Sequence, residues 1–138
     1  MRMFFAIAAL MLAGPALAQT ATPMTPAQAI AAATAASSGQ VEGVFEFAVA
    51  STGASGFDAY LNSSEDYRDP ANLSVELHTA AQNALLARLG ARAEDVLKGK
   101  RIRVKGIARR VPIPRRGGGN YYQTRIDVDA ADQIEILG

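Results

Sequence analysis

A dense run of lysines and arginines extends from Lys98 to Arg125, and no acidic side chain falls between Val96 and Ile126. Guanidinium groups are forked donors that match phosphate oxygens, and tyrosine rings stack on nucleobases. On those grounds Arg109, Arg110, Arg115 and Arg116 are the candidate charge-holding residues, and Tyr60 and Tyr122 the candidate stacking residues. The ligand such a set suits is an extended anion, either single-stranded nucleic acid or an acidic glycan or lipid headgroup. The plainer alternative is a solvated strand face whose basic side chains guard a sheet edge against aggregation. Gly117, Gly118 and Gly119 loosen the hairpin tip. A loose tip must be ordered when ligand binds, which lowers affinity.

Other chemistry-bearing clusters are weaker. Glu65, Asp66 and Asp69 lie close together in SSEDYRDPAN beside serine and asparagine oxygens of the kind calcium takes. Their spacing is not that of a calcium loop, and such residues ordinarily bond their own backbone in turns. The structural role expected is Arg68 pairing with a carboxylate and Asp69-Pro70 fixing the turn. His78 is the single histidine and has no serine, cysteine or second histidine spaced to form a catalytic pair. The three glycines follow a strand but open no helix and lack the ending of a phosphate loop. No catalytic residue, metal or cofactor is expected.

The elements that must position these residues follow from periodicity. Thr25 reads as an N-cap with Pro26 at the first helical position, opening a short Ala-rich helix that ends at Gly39. Alternation then predicts strands over Gln40 to Thr52, over FDAYLNS with Phe57, Ala59 and Leu61 on one face, and over LSVELHT with Leu73, Val75 and Leu77 inward. Ala81, Leu85 and Leu89 at four-residue spacing mark a helix stopped by Gly90, and ARAEDVLKGK adds one more helical turn. The fourth strand carries Ile102 and Val104 inward, with Pro112 ending its ladder, and YYQTRIDV with DQIEIL supplies the fifth. Gly43 and Gly106 are placed where bulges would let strands coil.

The chain has 138 residues, one domain's worth, and no cysteine, so disulfides and thiolate chemistry are excluded. Its first residues, MRMFFAIAALMLAGPALAQT, combine Arg2, an apolar run from Phe4 to Ala13 and small residues at Ala16 and Ala18. That is the pattern of a secretory signal peptide over 1–18, cut after Ala18. The apolar run is too short for a stable span, so a soluble periplasmic or secreted protein is expected. Loss of Arg2 leaves 13 basic residues against 13 acidic ones, so bulk charge implies no acidic partner and only the distribution does.

Three strands, a helix and two strands predict a mainly β protein, and the compact arrangement is a five-stranded, all-antiparallel OB-fold-like barrel over 40–138 with its helix between strands 3 and 4. A flexible lead-in and the short helix occupy 19–39. A two-layer sheet crossed by a single helix is the rival. The segments YLNSSEDYRDPANLSVEL, LKGKRIRVKGIARRV and DAADQIEIL resemble small exported bacterial OB-fold domains, over about Val41 to Leu137. The resemblance implies the fold and export and no common chemistry, although some such domains are attached to exported nucleases or phosphoesterases. The Arg115-Arg116-Gly117-Gly118-Gly119 tip is longer and more basic than that pattern. A nuclease needs acids and arginines on one face, and here the acidic turn and the basic hairpin are expected on opposite sides of a domain with little room for a deep pocket. The expectation is therefore a non-enzymatic binding module, with an envelope protein-interaction or structural domain as the alternative.

Overall fold

The computed structural model describes residues 22–138. The leader predicted over 1–18 lies outside the described residues. The first helix, α1 (Pro26–Ala35), opens on a reciprocal cap: the Thr25 hydroxyl accepts from the Gln28 amide at 3.2 Å, and Gln28 Oε1 accepts from the Thr25 amide at 2.9 Å. An Ala-rich helix this short is marginal alone. It is held by docking, with Ala29 and Ala33 fully buried. Their methyl groups let the helix backbone approach β1 closely. Just before it, Met24 runs parallel to β1 and exchanges backbone bonds with Val44 and Glu46 at 2.8 and 3.0 Å.

The strands are β1 (Gln40–Ala48), β2 (Ser51–Ser55), β3 (Asp58–Asn62), β4 (Leu73–Leu77), β5 (Arg101–Pro114), β6 (Asn120–Val128) and β7 (Ile134–Ile136). They form one sheet in the order β1-β5-β6-β4-β3-β2, with β7 added to β5. The mainly β expectation holds, whereas the five-stranded, all-antiparallel barrel needs correction. Among the described residues there are seven strands, their hydrogen-bonded path does not close on itself, and β4 pairs with β6 in parallel. The strand expected over Gln40 to Thr52 is divided by a corner. Val49 exchanges backbone bonds with Gly99 and Lys100 on the β5 side, while the Ala50 amide donates to Asn62 on the β3 side at 2.8 Å.

Neither expected bulge forms. The β1/β5 register runs unbroken from Gln40 opposite Arg109 to Ala48 opposite Arg101, and it sets Gly43 opposite Gly106. Both glycines answer crowding instead. A Cβ at Gly43 would lie 2.6 Å from Met24 Cε, and one at Gly106 would lie 3.1 Å from Ile126 Cγ2. Nor does Pro112 end the ladder, because β5 continues to Pro114, opposite Asn120. The Arg110 amide donates to Gly39 O at 2.8 Å, away from β6, and residues 112 and 114 share that orientation by the two-residue repeat. The prolines thus place their missing N–H groups on the edge that β1 has already left. No ladder bond is lost.

Inward alternation builds the core: Ile102, Val104 and Ala108 from β5 and Ile126 and Val128 from β6 meet Phe45, Phe47, Leu61 and Leu73. Phe57 departs from its expected inward face. It sits in the β2–β3 turn and is 89% exposed. Helix α2 (Thr79–Leu89) buries Ala81 and Leu85 and closes at Gly90, whose φ of 76° suits a residue without a Cβ. The further turn is α3 (Ala93–Val96).

On the outer side of the β1/β5 ladder, Glu46 accepts from Arg101 at 2.8 Å and from Arg103 at 2.9 Å. The hydrogen bond from Arg101, and then that from Arg103, hold the Glu46 carboxyl below its usual value. A group depressed in this way contributes stability above its unfolded pKa and loses it as pH falls through the folded value. Glu46→Gln should therefore lower the thermal midpoint at neutral pH, with the gap to wild type closing below about pH 4. Melting curves from pH 7 to 3 check this, and a gap that stays constant would contradict it.

Candidate functional site

Strand alternation divides the basic hairpin between two faces. Even-numbered residues of β6 from Thr124 to Val128 point to the core, and odd-numbered ones point out. Arg110 and Tyr122 share the core-side parity but lie beyond the last core residues, so they face a cleft instead. There the Arg110 guanidinium carbon sits 3.5 Å from the Tyr122 ring centroid, a close cation–π stack. Arg115 lies 5.6 Å from the Tyr121 centroid. The cleft has a volume of about 680 Å³, and its basic and aromatic lining is Arg68, Arg110, Arg115, Tyr121 and Tyr122. Ile30 and Thr34 of α1 form its other wall, and no carboxylate among the described residues lines it.

The third arginine arrives on the acidic connection between β3 and β4, which lines the same cleft as the basic hairpin and does not lie on the opposite side as expected. Asn72 holds that connection: its Oδ1 accepts from the Ser64 amide at 2.9 Å, and its Nδ2 donates to Tyr67 O at 3.3 Å and to Asn62 Oδ1 at 3.4 Å. Asn62 Oδ1 also accepts from the Ser74 hydroxyl at 2.8 Å. The acidic residues of the loop have local duties, as their residue types suggested. Asp66 pairs with Arg68 at 3.1 Å and Asp69 Oδ1 accepts from the Ala71 amide at 2.9 Å.

Tyr60 and Arg109, grouped with the other candidates in sequence, are on the outer face of the sheet. Tyr60 OH donates to Glu76 Oε2 at 3.3 Å, and Arg109 Nε donates to Asp127 Oδ2 at 2.6 Å. Asp127 also meets His78 Nε2 at 3.1 Å, and His78 Nδ1 lies 2.9 Å from Asp58 Oδ1. Arg125 stands 3.7 Å from Glu76 and gives its closer bonds to Gln123 Oε1. Arg116 is exposed and makes no hydrogen bond or ion pair among the described residues. The structure therefore unites Arg110, Arg115 and Tyr122, and separates them from Tyr60 and Arg109.

The electrostatics of the two faces differ. Burial raises the Glu76 carboxyl, against the pull of Arg125 and with Asp58 and Asp127 adding to the rise. Burial likewise raises Tyr60, and the charge of Glu76 adds to it. The bond to Asp58 raises His78, with Asp127 adding to it against the effect of burial. For Asp127 burial acts upward, but the bonds from Arg109 and His78 together carry it below its usual value. Asp58 is on β3, Glu76 is on β4 with His78 just beyond its end, and Asp127 is on β6, so the bonds from His78 span 20 and 49 residues, which is why no local motif revealed them. Their one legible signal was outward parity on neighbouring strands.

No family model matches the chain, and no curated protein matches it. Asn72 gives a direct test of how the cleft is assembled. Asn72→Ala takes the Asn72 partner from the Ser64 N–H and the Tyr67 carbonyl and leaves Asn62 Oδ1 only its bond from Ser74, which should cost about 1–3 kcal/mol. Chemical denaturation measures that loss. Amide exchange should quicken across residues 63–72, whereas protection unchanged in that loop would assign the anchor elsewhere.

Proposed function

We propose that the chain is an exported, non-enzymatic binding module of OB type, whose ligand is an extended anion with single-stranded nucleic acid as the best match. The observation that carries this reading is the pairing pattern of the hairpin arginines. Arg101 and Arg103 are tied to Glu46, Arg109 to Asp127, and Arg125 lies against Glu76. Arg110 and Arg115 have no carboxylate partner among the described residues, and they share one cleft with Tyr121 and Tyr122. Unspent guanidinium charge beside aromatic rings is the chemistry of a sequence-tolerant single-strand groove.

The OB assignment is supported by topology. If β1 and β2 are read as one strand bent at Val49 and Ala50, the sheet order becomes that strand, then β5, β6, β4, β3 and the same strand again. One segment then borders both β5 and β3, with α2 lying between β4 and β5 in the chain. The parallel β4/β6 pair is the one such an arrangement needs. Export rests on the residue pattern of 1–18, and no helix among the described residues is long and apolar enough to cross a membrane. The non-enzymatic reading rests on the outer face, where Arg109 and Arg125 are committed to neighbours in the network.

A labelled single-stranded oligonucleotide tests the proposal. Arg110 and Arg115, whose charge is unspent, should give a slope of log affinity on log salt of about −1.4, at about 0.7 per phosphate contact. Arg110→Ala with Arg115→Ala should weaken binding at least tenfold and flatten the slope by about 1.4. Arg109→Ala should leave both unchanged, and the oligonucleotide should be recovered intact. Equal binding by the cleft variant, or cleavage, would overturn the reading. An acidic glycan run in parallel separates stacking from charge, since Tyr122→Ala should weaken only the oligonucleotide. The alternative, an envelope protein-interaction domain, is favoured by the exposure of Phe57. It predicts a crosslinked partner that Phe57→Ser abolishes, with no oligonucleotide binding at moderate salt.

A further inference from the structure

The outer face places Asp58, Glu76 and His78 so that one ligating atom from each lies within 4.8 Å of the others. The hydrogen bonding of His78 decides what their meeting can hold. Arg109 donates to Asp127 at 2.6 Å and keeps that carboxylate charged, so it is an acceptor for the Nε2 proton 3.1 Å away. A neutral imidazole fixed in that tautomer turns the lone pair of Nδ1 toward Asp58 Oδ1, at 2.9 Å. A proton on Nδ1 can meet that contact, and a cation that displaces it binds both atoms at once.

Glu76 supplies a second, independent sign. Its side chain is about nine-tenths buried beside the Asp58 carboxyl, and among the described residues its carboxylate receives one hydrogen bond, from Tyr60 to Oε2. Oε1 has no donor: the nearest cation, Arg125, is 3.7 Å away and gives its Nε and Nη2 protons to Gln123. A buried carboxylate oxygen left in this state is costly. Two carboxylates and a neutral imidazole carry two negative charges, which one divalent cation balances. With bonds of about 2.0–2.2 Å in a tetrahedral array, such an ion holds its donors about 3.4 Å apart, a spacing that lies between the 2.9 Å from His78 Nδ1 to Asp58 Oδ1 and the 4.8 Å that bounds the three atoms.

We propose that Asp58, Glu76 and His78 form a three-ligand site for a divalent transition-metal cation, zinc by the character of its donors, with Asp127 orienting the imidazole from behind. A mixed nitrogen and oxygen set suits zinc better than calcium, which takes oxygen alone. The carboxylate behind the histidine is the partner that fixes tautomer and ring orientation in such sites. The ion pins β3 to β4 and, through Asp127, to β6, in a chain that has no disulfide to do so.

His78 is the only histidine, so its imidazole signals identify themselves in a magnetic resonance spectrum. The exported chain, stripped with chelator and titrated with zinc alone at fixed neutral pH, should show those signals shifting to saturation at one equivalent, with Nε2 keeping its proton. The thermal midpoint should rise in step. Asp58→Asn and Glu76→Gln, both isosteric, should each weaken zinc binding at least tenfold while the backbone spectrum is retained. His78 signals that ignore stoichiometric zinc would overturn the site and leave a proton as the only positive centre. Equal shifts in the two variants would overturn it as well. Should a variant fail to fold, the wild-type titration still decides.

Discussion

The main chain changes partners at Val49 and Ala50, and most of the architecture depends on that change. Up to Val49 the segment is bonded to β5 and the residues leading into it; from Ala50 it is bonded to β3. One piece of chain therefore borders both ends of the hydrogen-bonded path. Backbone N–H and C=O groups must find partners wherever they are buried, so the corner commits β3 and β5 to positions on either side of it. The remaining strands fill the interval. The N-terminal helix and the connection between β3 and β4 are then left to form, with the basic hairpin, the walls of the cleft.

From that frame the two-residue repeat distributes charge. Arg109 and Arg110 are neighbours in sequence and face opposite sides of the sheet. Arg109 enters a chain of contacts from Asp58 through His78 to Asp127, whereas Arg110 stacks on Tyr122 and has no carboxylate partner among the described residues. Arg125 lies directly opposite Arg109 across the β5/β6 ladder, an arrangement that costs free energy without nearby carboxylates. Glu76 and Asp127 offset it. The same strands thus pair their arginines with carboxylates on one side and on the other leave Arg110 and Arg115 without a carboxylate partner among the described residues.

Much of this was legible in the residues. The Thr25 and Pro26 helix start, the inward Leu73, Val75 and Leu77, the Gly90 stop and the inward Ile102 and Val104 follow from local spacing, and each has its place in the fold. What failed to show was set by long-range geometry. The prolines of β5 look like strand breakers until the side toward which their nitrogens point is known. Gly43 and Gly106 look like bulges until Met24 and Ile126 are seen to crowd them. Phe57 fits an alternating pattern but is taken by the turn. The basic run read as one binding surface because parity around the cleft depends on where the core ends. The meeting of Asp58, Glu76, His78 and Asp127 depends on a parallel pairing that sequence order does not announce.

The central claim is that the cleft between α1, the 63–72 connection and the β5–β6 hairpin is where an extended anion binds. Mapping the amide signals that move when a short single-stranded oligonucleotide is added tests it most directly. The account predicts shifts concentrated at Arg68, Arg110, Arg115, Asn120, Tyr121 and Tyr122, the residues that line the cleft. Shifts confined to Ser51, Tyr60, Asn62, Ser74 and Arg125, which line the separate hollow of about 390 Å³ on the outer face, would contradict it.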